Sequence, residues 1–416
     1  MAKSHSNLTK ALLTIWSIFA YILGKIFLAF PSQKHSHAYR KTIPHTQKGG
    51  ILFFCSSAGE YEQAKPLMDR LQTAGQAVYI VFFSISGYSF AEKRKEKIPY
   101  YLSPIDTIWH WKKWFQQLQP TATILVRHEL WPAFLFNAKH YGPVFLINAT
   151  RVGGKRSWLK DCVKSKLLKF VTTIFVVEDL DAEYFKTLGV KKTYSLGDTK
   201  YDRVYDRKHN PSSTAQYLLH NLKNVFTHKK VLTIGSAWPT DLEMVLTASS
   251  QFSVPAQILC VPHQLTENNL IALESICTQH HKTFQRFSKN PTLSANTQIF
   301  ILDKMGVLAE VYSISTAVMV GGGTHHQVHN VLEPAIHFLP LSFGQYYENS
   351  PEAISLVHNS LATVVRSSHE LTHWWDNIHH HQPDRLAQHL HQWMGASDRI
   401  LSHLIGQHYV QTNSSD

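Results

Sequence analysis

The sequence predicts an α/β protein built from two doubly wound halves, and three observations predict it. Short, wholly apolar segments of strand length alternate with stretches of helical length, the pattern of a parallel sheet covered on both faces. The alternation runs twice along the chain. A polar, proline-containing segment from Asp206 to Thr214 separates the two runs, as a linker would. With 416 residues, 44% of them hydrophobic and 17% charged, the chain is long enough for two cores, and the disordered, collagenous and polytopic membrane classes are excluded.

At the N-terminus, no charge occurs from Ala11 to Gly24, and only Lys25 interrupts the apolar stretch up to Phe30. A helix of roughly 20 residues is about long enough to reach across a bilayer core. Residues 1–30 are therefore expected to form an uncleaved membrane-anchor helix, spanning or interfacial, and a buried first helix is the competing expectation.

Gly50 to Cys55 reads as a buried strand, Glu60 to Gly75 as a helix and Ala77 to Phe83 as a second strand. Thr123 to Val126, Val144 to Ile147, Ile174 to Val177 and Tyr194 to Leu196 complete the strands of a first Rossmann-like domain over residues 31–205, with a helix from about Trp131 to Tyr141. Val231 to Ile234, Gln257 to Val261, Ile299 to Leu302 and Thr316 to Val320 build a second over residues 206–416.

The 41 Lys and Arg against 29 Asp and Glu give a formal charge of +12, which points to an anionic partner without choosing among nucleic acid, nucleotide and membrane face. Cys55, Cys162, Cys260 and Cys277 are scattered, with no CxxC pair and no zinc spacing, and fit a reducing compartment. The runs His280-His281 and His379-His380-His381 lack a carboxylate or Cys at fixed helical spacing and read as surface histidines, so no metal is expected.

Chemistry concentrates at strand-to-helix junctions. Ser56-Ser57-Ala58-Gly59-Glu60, Gly235-Ser236-Ala237-Trp238-Pro239, Pro262-His263-Gln264 and Gly321-Gly322-Gly323-Thr324 lie where carboxyl ends of parallel strands meet helix N-termini. Glycine lets a backbone approach a phosphate, and free N–H groups at a helix start favour an anion, so the second and fourth are phosphate-site candidates. Neither a Walker lysine loop nor a GxGxxG after the first strand is present, which argues against an NTPase or a dehydrogenase. Glu60, at a helix start, reads as a general base or as a first-turn capping carboxylate, and the helix dipole would favour its ionised form. Glu129 occupies the same kind of position before Pro132. Glu333, three residues after Asn330 and just before Pro334, suits a ribose diol or a capped helix.

Taken in order, these pieces resemble the Kdo transferase family, which moves 3-deoxy-D-manno-octulosonic acid (Kdo) from its CMP ester to lipid A precursor. The matching segments are the N-terminal apolar stretch, Ser57 to Glu60, Ser84 to Gly87, Tyr101 to Asp106, Glu129 to Pro132, Ile147 to Arg151, Gly197 to Asp202, Gly235-Ser236, Asp303 to Gly306, Gly321 to Gly323 and His329 to Pro334.

The resemblance implies a GT-B glycosyltransferase of two Rossmann-like domains, inverting and metal-independent, with no cofactor. The first domain would meet the acceptor and the second hold the CMP-Kdo donor. By position, Glu60 becomes the base that deprotonates the acceptor hydroxyl and Glu129 the second acidic residue of the acceptor side. Ser57, Gly59, Arg151 and Lys155 join them as acceptor-binding residues. Ser236, His263, Gly322, Gly323, Asn330 and Glu333 fall at the nucleotide-sugar positions. The anchor adds a membrane surface to the expected partners and places the expected location at the inner membrane with the catalytic domains on its cytoplasmic side; on the transferase resemblance no nucleic acid is expected. The chain departs from the family at Pro262-His263-Gln264, where many members carry Pro-Arg-His, at Arg127-His128 and at Thr324 to Val328. Two other readings stay open: a GT-B transferase for another nucleotide sugar, and a non-catalytic membrane-bound relative.

Overall fold

The computed structural model describes residues 2–29, 40, 48–151, 158–226, 229–290, 294 and 296–410. They form two compact units: the described residues up to Arg203 together with those from Trp393 on, and Val204–Gln392.

In the first unit, a long helix α1 (Ala2–Ala29) precedes an alternating series. The series is β1 (Ile51–Cys55), α2 (Ala58–Thr73), β2 (Val78–Phe82), α3 (Ile85–Lys93), β3 (Tyr100–Leu102), α4 (Ile108–Leu118), β4 (Ala122–Val126), α5 (Pro132–Tyr141), β5 (Val144–Ala149), α6 (Trp158–Leu168), β6 (Thr173–Val176), α7 (Asp179–Thr187) and β7 (Thr193–Ser195). All pairings are parallel and the strand order is β3-β2-β1-β4-β5-β6-β7. The apolar strands are buried on both faces, as the absence of polar alternation predicts. One face packs Phe54 against Trp111 and Phe134 at ring separations of 6.2 and 4.7 Å, and the other packs Phe53, Leu67 and Ile124.

A helix α8 (Thr199–His209) leads to α9 (Ser213–Val225) and the second sheet. That unit comprises β8 (Lys230–Ala237), α10 (Pro239–Ser249), β9 (Ala256–Pro262), α11 (Glu267–Gln279), β10 (Phe284–Arg286), β11 (Ile299–Ile301), α12 (Leu308–Val311), β12 (Ala317–Val320), α13 (Leu332–Ala335), β13 (Leu341–Phe343), α14 (Pro351–His358), β14 (Thr363–Val364), α15 (Ser368–Asp376) and α16 (Pro383–His391). Its parallel order is β10-β11-β9-β8-β12-β13-β14.

Three expectations are corrected. The segment Asp206 to Thr214 is mostly helix: α8 runs to His209, and α9 restarts at Ser213 with Ser212 capping it. Two of its polar residues are tertiary anchors: Arg207 pairs with Glu310 and Glu333, and Lys208 donates to the Ile336 carbonyl at 2.8 Å. The last helix, α17 (Ala396–Gly406), packs Ile400 and Leu404 into the first unit's core, and Asp202 accepts from the backbone N–H of Gly395 and Ser397 at its start.

The third correction concerns the anchor and the inner-membrane location read from it. Among the described residues no helix is long and apolar enough to cross a membrane. α1 is instead docked on the first unit: Leu13 and Ser17 are buried, the Trp16 indole donates to Asp106, and Ser17 Oγ accepts from the Ile108 N–H at 3.0 Å. Ser17, Thr14 and Lys25 dilute the apolar run that suggested a span.

Candidate functional site

Both units place some of their candidate residues at a topological switch point, where neighbouring strands are followed by helices on opposite faces. In open α/β sheets ligands bind in the crevice outside the carboxyl ends of such strands. In the first unit that point lies between β1 and β4, and in the second between β8 and β12.

After β1, Ser57 caps α2 by accepting from the Glu60 N–H at 3.3 Å, and the Glu60 carboxylate accepts in turn from the Ser56 N–H. Ser57, Gly59 and Glu60 thus share one helix turn, and the capping geometry is real. Capping does not settle the protonation of Glu60. Burial disfavours the charged form and the Glu129 carboxylate does the same, while the N–H groups of Ser56 and Ser57 and the Arg127 guanidinium favour it; burial prevails and the pKa is raised to about 7. The helix-start N–H groups thus favour the ionised form as expected, and burial outweighs them.

Glu129 follows β4, is partly buried, and accepts from the Trp131 indole at 2.5 Å; that indole stacks on Phe83 at 4.4 Å. Between β4 and Glu129, Arg127 holds a left-handed backbone at φ 61°, donates from Nε to Gln63 Oε1 at 2.8 Å, and lies 3.7 Å from the buried Asp198 carboxylate. Asn148, at φ 53° in a bulge of β5, donates to Thr199 Oγ1 at 2.7 Å and accepts from the Thr199 N–H. The Thr199 hydroxyl donates to the Gln63 carbonyl. Two strand ends and the start of α8 are thereby tied to α2, the helix that carries Glu60. Non-glycine residues persist in this backbone region only where their surroundings over-determine it. The expected acceptor residue Arg151 is exposed, its N–H donating to Asp181 at 2.7 Å, and Lys155 lies outside the described residues.

In the second unit, Ser236 is the bulged residue of β8, with φ 55°. Gly235 beside it is a packing glycine, because a Cβ there would meet the Tyr312 hydroxyl at 2.0 Å. Asp241, fully buried in the first turn of α10, accepts from the N–H groups of Trp238 at 2.9 Å and Gly322 at 3.0 Å and from Thr324 Oγ1 at 2.5 Å. One carboxylate therefore pins the Gly321–Thr324 loop to the helix beside it. Gly322 has φ 88°, and a Cβ would stand 2.2 Å from the Gln327 carbonyl. Gly323 accepts from the Tyr346 N–H at 2.9 Å.

His263 stacks on His329 at 4.0 Å between ring centres, and His329 Nε2 accepts from the Trp238 indole at 3.0 Å. Burial, with the neighbouring imidazoles of His263, His325 and His326, lowers the His329 pKa to about 4, and burial lowers that of His263 as well. Burial disfavours the charged form of both rings, which argues against His263 as a cation in place of the arginine common in the resembled family. Asn330 accepts from the Leu332 N–H at the start of α13, and Glu333 accepts from Arg207 at 2.9 Å, with Glu310 on the same guanidinium. Among the described residues no three His, Cys, Asp or Glu side chains group as a metal shell.

The sequence reading gave no role to Asn148, Thr199, Asp241, Trp238 or Arg207. Asn148 and Thr199 stand inside quoted motifs, and Trp238-Pro239 with Asp241 is a visible helix-start signal, but the long-range partners have no local signature.

Residues 29–203 match the family described as 3-Deoxy-D-manno-octulosonic-acid transferase (kdotransferase), and that match ends where the first part of the first unit ends. The chain is 25% identical to the 3-deoxy-D-manno-octulosonic acid transferase of Rickettsia prowazekii, over 77% of this chain and 70% of that protein. It is 25% identical to the transferase of the same name from Rickettsia felis, over 64% of this chain and 57% of that protein. In fold it is similar to the UDP-GlcNAc 2-epimerase of Methanocaldococcus jannaschii, at 12% identity and a TM-score of 0.59, covering 86% of this chain and 99% of that one. By these matches the chain is similar to 3-deoxy-D-manno-octulosonic acid transferases, with the family match confined to residues 29–203.

Proposed function

We propose that the protein transfers Kdo from CMP-Kdo to a lipid A precursor in lipopolysaccharide biosynthesis, as an inverting GT-B transferase with Glu60 as the general base. The observation that carries this reading is the Glu60 carboxyl: partly buried at a switch point and titrating near 7, it has the pKa a base acting on a hydroxyl at neutral pH requires. In the step proposed, the acceptor hydroxyl oxygen bonds to the anomeric carbon of Kdo from the face opposite the phosphate. The bond from that carbon to the phosphate oxygen breaks, CMP leaves with the electron pair, and Glu60 takes the hydroxyl proton. Glu129 raises the basicity of Glu60 by like-charge repulsion. Ser57, Gly59, Arg151 and Lys155 are proposed for the acceptor, and Ser236, His263, Gly322, Gly323, Asn330 and Glu333 for the donor.

The test is transfer of radiolabelled Kdo from CMP-Kdo to a tetra-acylated lipid A precursor by the wild type and by Glu60→Gln. Transfer that is lost in the variant while CMP binding persists supports the reading. A wild type inactive on this pair but active with another nucleotide sugar replaces the donor, and inactivity with every donor replaces the enzyme by a binding protein.

A further inference from the structure

The second unit contains a cavity of about 810 Å³ that none of the candidate site residues lines. It opens where the chain enters β13 and β14, lined by Pro340 and Leu341 on one side and Ala362 to Val364 on the other. The donor candidates follow the carboxyl ends of β8, β9 and β12, and the sheet is parallel throughout, so the cavity lies at the opposite edge of the sheet from them.

Its chemistry is two-part. The floor is apolar and aromatic, with Leu361 and Trp374 only 7% and 8% exposed. The rim carries exposed polar rings and one permanent cation: His369, His373, His380 and Arg385. Arg385 donates only to neutral oxygens, Gln382 Oε1 at 2.9 Å and the Asn359 carbonyl at 3.3 Å, and among the described residues no carboxylate stands within ion-pair distance of it. The one lining carboxylate, Glu370, accepts from the Arg366 N–H at 2.8 Å and lies 3.9 Å from the Arg366 guanidinium. The charge presented to the cavity is therefore positive at one end of an apolar floor. Concave sites of this volume, apolar with a few polar groups at one side, suit small molecules rather than macromolecules. Since no three ligating side chains converge there, the imidazoles serve as ring faces and N–H donors and not as a metal shell.

We infer that this cavity is a second ligand site, separate from the donor site, for a small aromatic anion whose ring lies on Trp374 and whose acid group meets Arg385. A guanidinium donates two parallel hydrogen bonds to such a group, and flanking imidazole faces favour a flat ring over an acyl chain.

The test uses the full-length protein and two probes that differ by one group: 1-anilinonaphthalene-8-sulfonate and N-phenyl-1-naphthylamine, the same molecule without the sulfonate. Fluorescence titration should show one saturable sulfonate site that CMP does not displace. Arg385→Gln, an exposed substitution, should raise Kd for the sulfonate about tenfold and leave the neutral probe within twofold. Ala362→Trp, which fills the cavity, should remove the saturable component for both probes with the melting temperature kept. An unchanged sulfonate Kd in both variants, or displacement by CMP, overturns the second site. Equal effects of Arg385→Gln on the two probes overturn the anionic class of ligand.

Discussion

The Trp16 indole nitrogen donates to the Asp106 carboxylate over 2.8 Å, across 90 residues of chain. Asp106 is 6% exposed and also accepts from the Trp111 indole at 2.9 Å and from the N–H groups of Phe134 and Ala133 at the start of α5. One buried carboxylate thus ties α1 to α4 and α5, and α1 is structural to the first unit.

Removing residues 1–29 is therefore expected to lower the melting temperature of the purified protein by at least about 5 °C, since several kcal/mol of packing and one charge-assisted bond are lost. Trp16→Phe, which keeps the ring packing and removes only the donor, should cost about 1–2 kcal/mol in urea denaturation. A truncated protein that melts with the wild type would make α1 an appendage.

How much of this was legible depends on the range of the interaction concerned. The long strands β1, β2, β4, β5, β8, β9 and β12 announced themselves because strands buried on both faces must be continuously apolar. The short strands β3, β10, β13 and β14 did not, since two or three residues give no periodicity to read; β7 and β11, equally short, were found only by their place in the alternation. At the site, Glu60 and Ser57 were visible because a capped helix start is a local signal. The balance that lifts the Glu60 pKa depends on burial and on Glu129, which stand far along the chain. The same limit explains α1 and α8. Apolarity near Trp16 and polarity near Arg207 are what sequence shows, whereas the partners Asp106, Glu310 and Glu333 decide what those residues do.

Asp241 is expected to be the structural keystone of the Gly321–Thr324 loop. Asp241→Asn turns one acceptor into a donor facing N–H groups that already point at it, at a cost of about 2–4 kcal/mol, and should weaken CMP binding through loss of loop order. Gly322→Ala should do the same, because its φ and the Gln327 carbonyl both reject a Cβ. That variant reports on loop architecture and not on phosphate contact alone. Chemical denaturation read beside calorimetric titration with CMP checks both: loss of affinity without loss of stability in Asp241→Asn would refute the architectural role.

Glu333 and Arg207 separate two roles for one carboxylate. If Glu333 also takes a ribose hydroxyl, Glu333→Gln should weaken CMP by roughly 1–3 kcal/mol, with a smaller loss of stability than Arg207→Met, which strips the buried Glu310 of its cation. Unchanged CMP affinity in Glu333→Gln, beside a measurable loss of stability, would leave Glu333 as a strut for Arg207 only.

Glu60 carries the prediction with the clearest sign. Its folded pKa is about 7 against an ordinary value of 4.5, so between these pH values the unfolded chain releases a proton that the folded one keeps. Stability is therefore lost as pH rises from about 4.5 to 7, and above 7 the charged carboxylate stays in the fold at its full cost. Partial exposure reduces that cost to about 1–2 kcal/mol. Glu60→Gln should accordingly be more stable than the wild type at pH 8 and nearly equal to it at pH 4. The same titration gates the chemistry: wild-type turnover should rise with pH through about 7 as the base becomes free. Glu60→Gln should lose on the order of 10²–10⁴-fold in rate together with that limb of the profile. Thermal melts at the two pH values and a pH–rate series on both proteins test the linkage. A variant that keeps more than about a third of wild-type turnover, or that gains no stability at pH 8, would return Glu60 to a capping role alone.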